Sequence, residues 1–195
     1  GVMFDSGGYS IKRGDFSDMK NDMASSSIMY GLMKLIAHHN LKGYYIALLP
    51  IVENMISSSA ARPGDVVKSY NKKTVEIKDT DAEGRLILAD SLAYSEKFKP
   101  KLCIDLGTLA GANAVFLGNK AGTILGNNTK IIKKILFHCE KNNEYLLEIP
   151  IWEEYISETK SDIADLRNDA GRNGSGVMPG AFLSHFVPKN SKWVH

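Results

Sequence analysis

Cysteine is almost missing from this chain. Its only two, Cys103 and Cys139, each lie inside an apolar segment, KLCIDL and KILFHCEK, and neither falls in a CxxC spacing. That disfavours a disulfide scaffold and predicts buried free thiols of a reducing, cytoplasmic compartment. Long apolar runs are missing as well. The longest, Tyr44 to Val52, is about half of what crosses a bilayer and contains Pro50, so a transmembrane helix is excluded and a soluble chain is expected. Neither sign of charge dominates: 24 basic and 22 acidic residues leave a net charge of +2, which calls for neither nucleic acid nor an anionic membrane as partner. Histidine clusters are absent too. His38-His39 sits at a helix end, His138 is isolated among apolar and basic residues, and no HExxH occurs, which disfavours a mononuclear histidine-ligated zinc site.

What is present suits one globular domain. With 44% hydrophobic and 24% charged positions, 195 residues can bury a substantial core, and no repeat, low-complexity tract or linker divides them. The chain opens on Gly1-Val2-Met3-Phe4, which has the pattern of an interior strand, and stops at Trp193-Val194-His195, which has the pattern of a strand just begun. A single domain truncated at both ends, 1–195, is therefore expected.

Short β-branched and aromatic runs predict strands at Gly1–Phe4, Tyr44–Ile51, Val66–Ser69 with Thr74–Lys78, Leu102–Gly107, Gly122–Gly126 and Leu146–Ile149. Helical periodicity predicts three helices between them. Around Met23–His39, Met29, Leu32, Met33 and Ile36 form one stripe; around Gly84–Phe98, Leu88 and Leu92 are flanked by Leu86, Ala89 and Ala93. In Lys130–Glu140, Ile132, Ile135, Leu136 and Cys139 face away from Lys130, Lys133 and Lys134. Strands separated by helices of this length need crossovers, which predicts an α/β fold: a mixed, largely parallel sheet with helices on both faces. Asp162–Gly176 is polar and glycine-rich, and predicts a long loop at the rim of a site.

Two segments carry the chemistry. In Asp79-Thr80-Asp81-Ala82-Glu83-Gly84-Arg85, between strand-like and helical segments, extended backbone would set Asp81, Glu83 and Arg85 on one face at a strand end. A solvated acidic turn is the plain alternative for that motif alone. In Phe4-Asp5-Ser6-Gly7-Gly8, Asp5 ends an apolar strand and the glycine pair permits positive φ and close backbone approach; Lys12 follows in the loop. Asp22 lies between Met19 and Met23, where an unpaired charge is costly and a cation is wanted. Asp5, Asp22, Asp81 and Glu83 are the carboxylate set that two neighbouring divalent ions require, since bridging carboxylates screen the repulsion between them. A two-metal phosphoesterase would use similar clusters, but no basic cluster for a phosphate accompanies these.

Eight segments in order, FDSGGYSIK, MKNDM, VENMISSSAARPGD, DTDAEGRLILADSL, DLGTLAGA, IWEEY, SDIADLRN and AFLSHFV with WVH, resemble the motifs of the leucyl (cytosol) aminopeptidase family, catalytic domain, over essentially the whole chain. The resemblance implies that Asp5, Asp22, Asp81 and Glu83 hold two divalent ions (zinc, or manganese or magnesium), with a further lysine ligand immediately before Gly1. It implies that Lys12 and Arg85 are catalytic, with bicarbonate at Arg85, and that Met19, Thr108, Leu109 and Gly111 contact the substrate. A hydrolase removing leucine-like N-terminal residues from peptides, assembled as a homohexamer, follows as the expectation. Its alternative is an inactive relative serving as an oligomeric or nucleic-acid-binding scaffold. The chain departs from the family pattern in four places: one residue fewer between Lys12 and Asp22, Ala24-Ser25-Ser26-Ser27 where glycines are usual, Asp79 in place of an asparagine, and Met178-Pro179-Gly180 at the pocket wall.

Overall fold

Nearly every short β-branched run finds a partner, and most of the ladders are parallel. A computed structural model describes residues 1–195. β1 (Val2–Asp5) leads through a 3₁₀ turn at Ser17–Met23 into α1 (Ala24–His38), then β2 (Val52–Asn54), β3 (Val66–Lys68) and β4 (Thr74–Glu76). α2 (Gly84–Ser95), β5 (Leu102–Ile104), α3 (Gly111–Leu117), β6 (Gly122–Ile124), α4 (Thr129–Lys141) and β7 (Leu146–Glu148) follow. The chain closes with α5 (Glu153–Glu158), β8 (Leu166–Arg167), α6 (Met178–Ser184) and β9 (Lys192–Val194).

β1 pairs with β2, β4 with β8, β5 with β9 and β6 with β7, all in parallel; β3 and β4 form the antiparallel hairpin. The ladders form four short sheets, and helices surround them, so the domain is α/β as its alternation of elements implied. A reciprocal pair of hydrogen bonds between Leu125 and His195 ties the end of β6 to the end of β9.

The predicted helices occur with the expected inward faces. On α1, Met29, Met33 and Ile36 are half-buried, but Leu32 faces solvent. On α2, Ala89, Leu92 and Ala93 are buried, together with the charged Arg85. α4 buries Ile132, and Asn128 caps it by accepting from the Ile131 amide at 3.1 Å.

Tyr44–Ile51 is not a strand. In the β1–β2 register Val2 lies opposite Val52, and no ladder includes residues 44–51. Tyr44, Tyr45, Ile46 and Ile51 stay exposed. The short helices α3, α5 and α6 and the two-residue β8 are not among the predicted elements. α6 buries Met178, Pro179, Gly180, Ala181, Phe182 and Leu183, and a helix buried on all sides has no polar face to reveal its period. A side chain at Gly180 would meet Leu125 at 2.6 Å, so glycine lets this helix lie flush against the residue that follows β6. β8 lies inside the polar Asp162–Gly176 segment, which is otherwise loop and turn as expected.

The main core joins Val75, Leu92, Leu125, Leu166, Phe182 and Trp193, drawn from five elements and the segment after β6. Both cysteines are half-buried and unpaired. His195 pairs with the buried carboxylate of Asp105, which also accepts from the Trp193 indole at 2.6 Å, so this histidine has a structural partner.

Candidate metal centre

β1 delivers Asp5 to a buried position, 3% exposed, where a carboxylate must be satisfied. Its Oδ1 accepts from the Gly7 amide at 2.9 Å and from the Asn54 side-chain amide at 2.8 Å. Gly7 and Gly8 turn the backbone with φ of +86° and +61°, and a Cβ at Gly7 would lie 2.5 Å from the Ser10 carbonyl oxygen and 3.0 Å from Asp81 Oδ1. Thr80 then stitches this loop to the acidic turn: its hydroxyl donates to the Gly7 carbonyl at 2.6 Å and accepts from the Ser10 amide at 2.7 Å.

Across that seam stand Asp81 and Glu83. One carboxylate oxygen from each of Asp5, Asp81 and Glu83 lies within 4.8 Å of the others. Lys12 projects its ammonium between two of them, 2.7 Å from Asp5 Oδ2 and 2.6 Å from Asp81 Oδ1. Asn54 donates to Glu83 Oε2 at 2.9 Å.

The electrostatics follow from crowding like charges in a partly dry pocket. Burial, then repulsion from Asp5, raises Glu83 to about 7. Burial raises Asp81 to about 6 against the opposing pull of Lys12. Burial alone would lower the Lys12 ammonium, but its hydrogen bonds to Asp5 and Asp81 outweigh that and hold it above the ordinary lysine range. The pocket thus has more negative charge than its one ammonium satisfies.

Asp22, the fourth predicted carboxylate, stands outside the three-oxygen group. It sits in the 3₁₀ turn and accepts a hydrogen bond from the Thr108 hydroxyl. Its pKa is raised, first by burial and also by the nearby charge of Asp5. The backbone that carries Arg85 is not extended: residues 80–81 form a turn and α2 begins at Gly84. There Arg85, 6% exposed, donates from Nη1 to the Asn168 carbonyl at 2.7 Å and lies 3.7 Å from Asp169. Its Nε is buried with no partner. Burial lowers its pKa, against the charges of Asp169, Asp79 and Glu83.

Beside this centre lies a cleft of about 340 Å³ whose walls include Thr108, Leu109, Ile28 and Pro179. Met19 is half-buried and Gly111 opens α3, but neither is among those walls.

Three residues of the site carried no role in the sequence reading. Asn54 and Asn168 sit within VENM and DLRN, and Thr80 within the acidic motif itself. A polar residue in a motif was the only signal available, because what matters in each is a partner 26 to 90 positions away. Asn168 is 1% exposed; its side chain accepts from the Lys78 amide at 2.8 Å and donates to the Asp79 carbonyl at 2.6 Å, clasping the acidic turn from the Asp162–Gly176 segment.

Fold and site together define an α/β protein with a carboxylate pocket suited to divalent cations. The sequence profile described as "Cytosol aminopeptidase family, catalytic domain" matches residues 1–195, and the chain belongs to that family. Proteins named "Probable cytosol aminopeptidase" from Syntrophotalea carbinolica and Geobacter sulfurreducens are each 42% identical over 100% of this chain and 39% of their own length. That of Protochlamydia amoebophila is 41% identical over 100% of this chain and 40% of its own. The chain spans about two fifths of the length of these curated relatives. No helix is long and apolar enough to cross a membrane.

Proposed function

We propose that the intact protein is a metal-dependent aminopeptidase, removing uncharged, leucine-like residues from the N-termini of peptides. The observation that carries this reading is the gathering of carboxylate oxygens of Asp5, Asp81 and Glu83 within 4.8 Å of one another, with a single ammonium paired to two of them. Three hard oxygen donors with excess negative charge, the Glu83 pKa among them raised to about 7 by burial and then by the charge of Asp5, suit divalent cations. Lys12 already occupies part of that space as a cation of the protein's own.

Asp5, Asp81 and Glu83 would hold the ions, with Asp22 as the fourth carboxylate after release from Thr108. When bound, a pair of divalent ions supplies a water acidic enough to attack at neutral pH. The chain's own residues do the rest. Lys12 keeps its proton, held by the two carboxylates, and can donate a charge-assisted hydrogen bond to the scissile carbonyl oxygen as negative charge develops there. Arg85 presents a buried, unpartnered Nε, a donor suited to a small planar anion such as bicarbonate that passes the proton on. Thr108 and Leu109, in the cleft wall, would receive the first side chain and the peptide backbone, and Met19 and Gly111 are assigned to the same pocket by the family resemblance alone. The lining of Leu109, Ile28 and Pro179 favours uncharged side chains. Zinc is the first candidate metal, with manganese or magnesium as substitutes.

A cytoplasmic homohexamer completes the reading. The word cytosol in the relatives' names supports the first part. Val115 and Phe116, 90% and 67% exposed on α3, offer apolar surface for self-association. Metal analysis and a leucyl-amide assay of the intact protein test the proposal. Two bound divalent ions are expected, with leucine release abolished and metal lost in Glu83→Gln. A protein that holds no metal, or a Glu83→Gln variant of undiminished activity, refutes it.

A further inference from the structure

Asn54 sits on β2 directly opposite Asp5 in the parallel register. Its carbonyl accepts from both the Ser6 amide at 3.0 Å and the Ser6 hydroxyl at 2.7 Å, so its backbone is pinned to the residue that follows Asp5. The side-chain nitrogen faces three acceptors: Asp5 Oδ1 at 2.8 Å, the Thr80 carbonyl at 2.9 Å and Glu83 Oε2 at 2.9 Å. Turning the amide over would set its oxygen against three oxygens, so the partners settle which atom points inward.

We propose that Asn54 is a positioning residue for the metal centre, a neutral bracket that holds the carboxylates of Asp5 and Glu83 so that each presents one oxygen to the cations. This rests on the metal-dependent reading above.

The geometry separates the two oxygens of each carboxylate. Asp5 Oδ1 is taken by Gly7 and Asn54, while Oδ2 points to the Lys12 ammonium, the one cation present. Glu83 Oε2 is taken by Asn54, and no other residue's side chain donates to this carboxylate. Asp5 and Glu83 come from different elements, the end of β1 and the start of α2, and repel each other. Asp5 is also held by Gly7 and Lys12, but Asn54 is the one side chain that donates to both carboxylates. An amide suits the task better than the charged alternatives. A lysine there would neutralise the charge that attracts a dication, and a carboxylate would add a further repelling oxygen. Hydrogen-bond partners of this kind govern metal affinity by about 10–100-fold.

The test is metal affinity of the intact protein, read by competition with a chromophoric zinc chelator, with unfolding midpoints of the metal-free proteins alongside. Asn54→Ala is expected to weaken zinc binding 10- to 100-fold with little change in the metal-free midpoint, and excess zinc is expected to restore much of the activity. Asn54→Ser, which keeps one donor in a small side chain, is expected to fall between wild type and alanine. If wild type binds zinc and both variants bind it equally tightly, the positioning role is wrong while the aminopeptidase reading stands. If both variants fail to fold, Asn54 is a structural residue and the proposal is likewise overturned. If wild type itself binds no zinc, the underlying metal-dependent reading fails first, and this one with it.

Discussion

Glu83 should make the metal-free protein less stable as pH rises through the slightly acidic range, the reverse of what an ordinary paired carboxylate does. Its folded-state value is about 7 against 4.5 when free, because burial and then the charge of Asp5 disfavour its ionised form. Between those two values the folded chain binds a proton that the unfolded chain has released. The stabilisation is therefore complete below about pH 4.5 and lost as pH climbs through 7. At about 1.4 kcal/mol for each tenfold change, the difference amounts to roughly 3 kcal/mol. Asp81, raised to about 6, adds an effect of the same sign, reduced by its partial exposure and its contact with Lys12. The assay is urea unfolding of the chelator-treated protein from pH 4 to 8, comparing wild type with Glu83→Gln, so that every other titrating group cancels. Glutamine cannot ionise, so the variant should gain on wild type by roughly 3 kcal/mol across the window. Parallel profiles for the two proteins would refute the account of Glu83 as a buried, repelled acid.

The same centre makes further claims. Lys12→Ala should lower kcat by about 10²- to 10³-fold with metal content preserved, as loss of an oxyanion donor does, and a variant that is only a weaker binder of substrate would remove Lys12 from that role. Asn168→Ala leaves the Lys78 amide and the Asp79 carbonyl without their partners, and should cost roughly 2–4 kcal/mol in unfolding free energy measured by denaturant titration. An unchanged midpoint would mean that the clasp on the acidic turn is unimportant.

Much of the local structure was legible because it follows from short-range periodicity. The stripe on α4 and its opposing lysines survive folding with the expected orientation, since an amphipathic helix needs only one apolar surface to lie against. Tyr44–Ile51 has the composition of a strand but joins no ladder, since pairing depends on what lies alongside rather than on local sequence. α6 failed because complete burial erases the contrast between faces on which periodicity depends. Among the site residues, Asp5, Asp81 and Glu83 follow from their chemistry and Lys12 from the family resemblance, and the four lie together. Extended backbone from Asp81 to Arg85 is not what forms, because α2 begins at Gly84, yet Arg85 still feels the charges of Glu83 and Asp79.

The sequence by itself determined the kinds of group available: acidic side chains at the end of a strand and in a turn, a lysine in a glycine-bearing loop, and the alternation of strand and helix that makes the domain α/β. These are properties of residues and their near neighbours, and local sterics and polarity suffice to read them. Only the tertiary structure decided that Asp22 is held by Thr108, that Asn54 spans Asp5 and Glu83, and that Asn168 grips the acidic turn. Those contacts join positions 29 to 89 residues apart, and no local rule reaches that far because the distance is closed by the packing of the whole core.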